Sequence, residues 1–376
     1  MKRDDSHWMR LAIRLAKKGM GWTRPNPPVG AVIVLGSRVL GKGYHHKAGS
    51  AHAEILAIRE AGGRTKGATL YVTLEPCSTR GRTGPCTKAI LKAGIVRVVA
   101  GTCDPNPRHS GRGLSLLKRK GISVKEGVCG AECNEIIAPF RKWISTGMPY
   151  VTLKMGLSMD GRIADAWGRS RWVTCKASRA MVQAMRAKVD AILVGATTVR
   201  TDNPSLMRCG GIQNGMLRVV VSSDGNLPSD LKIFTDVHRM NTILAVTRRC
   251  ASWRVRALRQ TGIEVLVLPS KHGKVSVRIL MRRLGEKGLL HVLCEGGGEL
   301  ASSLVDSGMV NEFVFFVSGI LLGGPGSRSV MTGKHWPLGL APRLVFTRVR
   351  RVGQDIMITA KPDNQESNVG RNTNGS

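Results

Sequence analysis

Short apolar runs alternate with segments of helical period along most of this 376-residue chain, and that alternation constrains the fold more than any other feature. Gly-Ala-Val-Ile-Val-Leu at 30–35 is apolar throughout and short, the pattern of a strand covered on both faces. A helix-spaced segment precedes it at 6–18 (Trp8, Leu11, Ile13, Leu15), and another follows at 53–61, stopped by Gly62-Gly63. The same rhythm predicts strands at 69–74, 95–100 and 122–126, and helices at 87–93, 113–120 and 130–145. Strands alternating with helices make a layered α/β unit. Thr146-Gly147-Met148-Pro149 breaks the rhythm and sets a domain boundary after 147. Beyond it, strands are expected at 150–155, 191–195, 217–222, 242–247, 264–268, 291–295 and 312–318. Helices are expected at 176–188, 274–285 and 299–307, and a hairpin over 343–360 turning at Val352-Gly353-Gln354. The expected organisation is a first domain over 1–147, a second over 148–361, and a polar, disordered tail over 362–376.

Aromatic residues make up only 4% of the chain, so both cores must rest on Val, Ile, Leu, Ala and Met. No apolar run approaches the ~20 residues that span a bilayer. The opening Met-Lys-Arg-Asp-Asp-Ser-His-Trp-Met-Arg has no apolar core of a signal peptide. A soluble, cytoplasmic protein without a membrane partner is expected. Nine cysteines, an odd number without framework spacing, argue against a disulfide scaffold. Cys103, Cys129, Cys133, Cys175, Cys209, Cys250 and Cys294 are expected as small buried apolar residues, which singles out Cys77 and Cys86. The net charge of +33 raises the question of nucleic acid. Its excess is spread evenly, 17 positive charges before residue 148 and 16 after, so there is no basic arm. The spread fits a proteome-wide compositional bias or a preference for anionic, phosphorylated small ligands better than nucleic acid.

His52-Ala53-Glu54, Pro76-Cys77 and Cys86 form a metal constellation. A catalytic zinc takes three protein ligands and leaves a fourth position open, and one imidazole with two thiolates supplies that set. His52 and Cys86 each stand where a helix is predicted to start, and the helix N-termini would favour an anion there. Cys77 follows strand 69–74. Glu54, two residues past His52, can reach the open position without being a ligand and carry a proton from the attacking water to the leaving amine. The pattern is that of zinc deaminases, H-x-E followed by Pro-Cys and a second Cys. A purely structural site would want a fourth ligand; His45 and His46 are near in sequence, in a Gly-rich turn.

The motifs reach further than a generic deaminase. Thr23-Arg-Pro-Asn26-Pro-Pro-Val-Gly30, His52-Ala-Glu54 and the run from Thr73 to Cys86, with eight residues between the cysteines, resemble the bifunctional deaminase–reductases of riboflavin biosynthesis. Lys154-Met-Gly156-Leu-Ser158-Met-Asp160-Gly161-Arg162, Ser170-Arg-Trp172, Thr198 with Asp202-Asn-Pro204, and Glu295-Gly-Gly-Gly298 resemble the reductase half in the same order. The likeness covers residues 6–360. It implies a cytidine-deaminase-like domain followed by a dihydrofolate-reductase-like α/β domain. It also implies deamination of a diaminopyrimidinone carrying a ribosylamino 5′-phosphate, then reduction of the ribosyl group with NADPH. By the same likeness the enzyme would hold one zinc ion and form a homo-oligomer.

Residue by residue, Asn26 on its Pro-flanked loop is expected to bond the pyrimidine edge, and Arg82 to grip the substrate phosphate. Lys154, Ser170, Arg186 and Leu206 are implied as further substrate contacts, with Arg208 and Glu295. NADPH is assigned to Gly156, Asp160, Trp172 and Thr198, with Asp202, Ser223, Gly297 and Gly298. The Glu295–Gly298 turn leaves a strand and opens a helix, so its backbone can approach phosphate; the usual G-x-G-x-x-G is absent. The chain departs from the family at Thr79, where a His is usual, and at Cys209 and Ser222, where Arg and Asp are usual. The alternative reading is a nucleic-acid base deaminase of the tRNA-adenosine type with an appended domain. Three Tyr and six Phe, none clustered near the zinc motif, speak against its stacking channel.

Overall fold

Two glycines in one strand set how closely a helix lies on the first sheet. The computed structural model describes residues 4–79, 84–207, 215–333 and 335–363. It divides into two units, one running to Pro149 and including Gly285–Leu290, the other holding Tyr150–Leu284 and the residues from His291 on. In the first unit, β1 (Gly30–Leu35) pairs antiparallel with β2 (Arg38–Tyr44) and with β3 (Thr69–Val72). β3 continues in parallel to β4 (Arg97–Ala100) and then to β5 (Ser123–Lys125), giving the order β2-β1-β3-β4-β5.

Helix α1 (Asp5–Ala16) covers one face, packing Trp8, Met9 and Ile13 against Val32 and Tyr71. Helices α2 (Ala53–Ala61), α3 (Cys86–Lys92) and α4 (Arg112–Arg119) cover the other, around Ala57, Ile90, Leu117 and Leu70. α2 runs directly over β2. A Cβ on Gly41 would lie 2.1 Å from the Ala57 carbonyl oxygen, and one on Gly43 2.2 Å from that of Ala53. Only glycine permits that approach. The same two glycines deprive β2 of an apolar alternation, so the sequence does not predict this strand. The sequence also reads 130–145 as one helix. The structure has two, α5 (Gly130–Ile136) and α6 (Ala138–Thr146), because Pro139 can sit only in a first turn.

The second unit has a nine-stranded sheet. Its strands are β6 (Tyr150–Leu157), β7 (Ala191–Gly195), β8 (Leu217–Val221), β9 (Thr242–Val246), β10 (Glu264–Val267), β11 (His291–Cys294), β12 (Glu312–Val317), β13 (Leu344–Val352) and β14 (Asp355–Pro362). Their order is β10-β9-β8-β7-β11-β6-β12-β14-β13. The strands from β10 to β12 are parallel, and the β13–β14 hairpin is added antiparallel at one edge. Helix α7 is Lys176–Arg186. Among the helices that escaped the sequence reading are α8 (Ala196–Asp202), rich in β-branched residues, and α9 (Ser252–Gln260), which buries only Val255 and Leu258. α10 (Gly298–Asp306) follows β11 directly.

The eight described cysteines are free. Cys133, Cys250 and Cys294 are buried as expected, but Cys103, Cys129 and Cys175 are only half-buried, because they sit at or near element ends rather than on core faces. Cys209 lies outside the described residues. No helix among the described residues is long and apolar enough to cross a membrane.

His291 starts β11, with Nε2 2.9 Å from the Thr152 hydroxyl and a buried Nδ1 that has no hydrogen-bond partner among the described residues. Burial holds its ring at about 4, below the ordinary 6.5. The unfolded chain therefore takes up this proton first, so the contribution to stability is complete above 6.5 and is lost as pH falls toward 4. Urea unfolding followed from about pH 7 to about pH 5 is expected to show a falling midpoint, and His291→Gln to remove part of that dependence.

Candidate active sites

His52 is the extended residue that caps α2, and Cys86 is the first residue of α3. Cys77 lies in the loop after β3, where the backbone N–H of Cys86 donates to its sulfur over 3.3 Å. The packing of α2 on glycine thus brings His52 to the end of the sheet where Cys77 emerges. His52 Nδ1 is 3.2 Å from Cys86 Sγ and 3.6 Å from Cys77 Sγ. All three donor atoms lie within 4.8 Å of one another. Tetrahedral zinc, with bonds of ~2.0–2.3 Å, needs donors roughly 3.5–3.8 Å apart, so the set closes around the ion with small shifts. The protons tell the same story. The thiol of Cys86, then His52, hold Cys77 down at about 4, while the Cys77 sulfur pushes Cys86 up. Cys77 also raises His52. A divalent cation would displace the shared proton and be bound by the thiolates.

Glu54, in the first turn of α2, is 3% exposed. Burial, and then the charge of Cys77, raise its carboxyl above the ordinary range. A cavity of about 320 Å³ opens over these groups, with Asn26 and His45 on its wall and Phe140, Trp143 and Ile144 as its apolar side. The Asn26 amide nitrogen is 3.1 Å from His45 Nε2, and His45 Nδ1 is 3.3 Å from the Ala51 carbonyl oxygen. An amide donor on Nε2 and a carbonyl acceptor on Nδ1 require a neutral ring, and burial lowers His45 accordingly. His45 is therefore a wall residue, outside the donor set.

The sequence reading missed the opposite wall. Glu75, 5% exposed, accepts the backbone N–H groups of Gly111 and Gly113 at 2.8 Å, Asp104 at 3.0 Å and Leu114 at 3.4 Å. That clamp lays the loop carrying Asp104, Asn106 and His109 over the cavity. The available signal was a carboxylate directly before Pro76-Cys77. Arg82 lies outside the described residues.

In the second unit, Glu295 directly follows β11 and lies between two cations. Burial alone would raise its carboxyl; Lys154 and Arg186 instead hold it at about 2. The Lys154 ammonium is 3.0 Å away, and the Arg186 guanidinium is bidentate at 2.6 and 3.0 Å. Ser170 donates to Asp202 at 3.3 Å. Leu206 holds a left-handed backbone, φ 56°, with its side chain in the core, so its backbone alone remains for a ligand. Arg208 lies outside the described residues.

A second cavity, about 280 Å³, sits at the carboxyl ends of parallel strands β7, β8 and β9, the usual ligand crevice of such sheets. Thr198, Ser223 and Gly297 line it, as do Ser222 and Asp224. The implied cofactor residues Gly156, Asp160, Trp172, Asp202 and Gly298 are not on its wall. Asp160 instead accepts the Ser158 hydroxyl and the N–H groups of Leu322 and Gly323, which pull it to about 2. Trp172 is 68% exposed and carries the Arg179 guanidinium 4.2 Å from its ring centre. A Cβ on Gly156 would touch Thr174 at 3.0 Å, and one on Gly298 would meet the Ser329 carbonyl at 2.7 Å.

A three-layer α/β unit with a His-Cys-Cys donor set beside a buried glutamate, followed by a mainly parallel sheet with a ligand crevice, defines a deaminase of the zinc-binding class joined to a reductase. Residues 2–102 match the cytidine and deoxycytidylate deaminase zinc-binding region, and residues 149–358 the RibD C-terminal domain. Riboflavin biosynthesis protein RibD of Aquifex aeolicus is 36% identical over 95% of this chain and 98% of its own. That of Escherichia coli is 36% identical over 94% and 98%. The solved structure of Acinetobacter baumannii RibD aligns with a TM-score of 0.84, 36% identity, 96% of this chain and 99% of that one. A Thermotoga maritima diaminohydroxyphosphoribosylaminopyrimidine deaminase/5-amino-6-(5-phosphoribosylamino)uracil reductase aligns with a TM-score of 0.83 and 34% identity, over 96% and 99%. The chain belongs to the RibD family, the bifunctional deaminase–reductases of riboflavin biosynthesis.

His52→Ala and Cys77→Ala are expected to lose nearly all bound zinc, while Asn26→Ala keeps it. Metal analysis of the purified variants checks this.

Proposed function

We propose that the first unit replaces the exocyclic amino group of a diaminopyrimidinone bearing a ribosylamino 5′-phosphate with oxygen, releasing ammonia. The second unit then reduces the ribosyl group of that product with NADPH. The observation that carries this reading is the convergence of His52, Cys77 and Cys86 beside buried Glu54, in a cavity walled by Asn26 and His45.

His52, Cys77 and Cys86 would hold zinc, which when bound polarises a water for attack on the amidine carbon. Asn26, fixed against neutral His45, orients the ring edge. Glu54 takes the proton of the attacking water and delivers it to the departing amine; its raised carboxyl suits a group that must both accept and give. Phe140, Trp143 and Ile144 exclude solvent from one side. In the reductase unit, Lys154 and Arg186 flank Glu295 and present positive charge to a phosphorylated ligand. Thr198, Ser223 and Gly297 line the crevice that fits a nucleotide, where NADPH would supply hydride. Self-association belongs to the same reading, supported by Val345, Phe346 and Val349 exposed on edge strand β13.

The test is incubation of the zinc-loaded protein with the phosphorylated diaminopyrimidinone, with and without NADPH, followed by mass spectrometry. Exchange of an imino group for oxygen is expected without NADPH, and uptake of a further hydrogen pair only with it. Glu54→Gln is expected to slow deamination by roughly a hundredfold or more while keeping zinc. The same variant should still oxidise NADPH when given the deaminated intermediate.

A further inference from the structure

We infer that His109 is a substrate-binding residue of the deaminase cavity, whose imidazole receives the anionic tail of the substrate. The inference rests on the phosphorylated-pyrimidine reading of that site. Three carboxyl groups, Glu54, Glu75 and Asp104, line the cavity, and no Lys or Arg does so among the described residues. A phosphate entering there meets negative charge and needs a positive or strongly donating group. Three imidazoles line the wall. His52 belongs to the donor set, and His45 is engaged at both nitrogens by Asn26 and Ala51. Among the described residues, His109 is the imidazole left for a ligand.

Its position is fixed from both sides. Its N–H donates to the Asn106 carbonyl at 2.8 Å and its carbonyl accepts from Arg112 at 2.8 Å. Glu75 clamps the same loop at Asp104 and at Gly111. The ring is half-buried, with Nδ1 3.4 Å from the Thr79 hydroxyl and no hydrogen-bond partner for Nε2 among the described residues. With the Thr79 hydroxyl as donor to Nδ1, the ring proton sits on Nε2, which then offers an N–H to a ligand.

The experiment compares deamination of the phosphorylated diaminopyrimidinone with that of its dephosphorylated riboside, for the wild-type chain, His109→Ala, His109→Lys and Thr79→Val. For His109→Ala, KM for the phosphorylated compound is expected to rise roughly tenfold, the loss of one charge-assisted hydrogen bond. KM for the riboside is expected to move less than about twofold. His109→Lys should restore most of the affinity for the phosphorylated compound, and Thr79→Val should weaken it less than His109→Ala. Zinc content reports on whether the metal site is kept. Equal changes for both compounds, no change for either, or no rescue by lysine with zinc retained would overturn the assignment to the anionic tail. Failure of the zinc-loaded wild-type chain to deaminate either compound would overturn the functional reading itself, and the inference with it.

Discussion

The deaminase half depends on one buried carboxylate. Glu75 stands two residues before Cys77 of the donor set and accepts four backbone N–H groups from a loop some thirty to forty residues further on. Two of the four, on Gly113 and Leu114, belong to the first turn of α4, where a helix leaves its donors unsatisfied and favours negative charge. Burial of the anion is costly, and the four donors offset it. The result is mechanical: the loop that leaves β3 with Cys77 and the loop that forms the far wall of the cavity cannot move independently. A side chain too short to reach would release both.

The second constraint is the contact of α2 with Gly41 and Gly43. With no Cβ in the way, helix and strand approach until backbone meets backbone. That distance decides where His52 and Glu54 stand relative to Cys77 and Cys86. Glycines at these places therefore shape the donor set as surely as its own residues, although they touch no donor atom.

These two features also mark where the sequence was legible and where it was not. The helices that begin at His52 and Cys86, and the strand before Cys77, could be read because each is a local apolar pattern next to a local motif. Strand β2 could not, since glycine removes the alternation that signals a strand. Pro139, which divides α5 from α6, was a readable breaker inside an otherwise periodic stretch. Glu75 and His109 escaped because their meaning lies in bonds that span tens of residues. In the reductase half, Lys154, Arg186 and Glu295 come from three separate segments, and no compact fingerprint announces the crevice. There the family likeness pointed to residues that pattern alone would not. It also pointed to Asp160 and Trp172, which the fold uses to hold a loop and to stack on Arg179.

The cluster around Glu295 has a consequence of its own. Two cations share one carboxylate, and the three side chains are largely withdrawn from water. In such surroundings any further charge is felt strongly. On the proposed reading, an anion bound beside Lys154 and Arg186 would couple occupancy to folding. The unliganded unit would then be the less stable one, and its thermal stability a gauge of how full the site is.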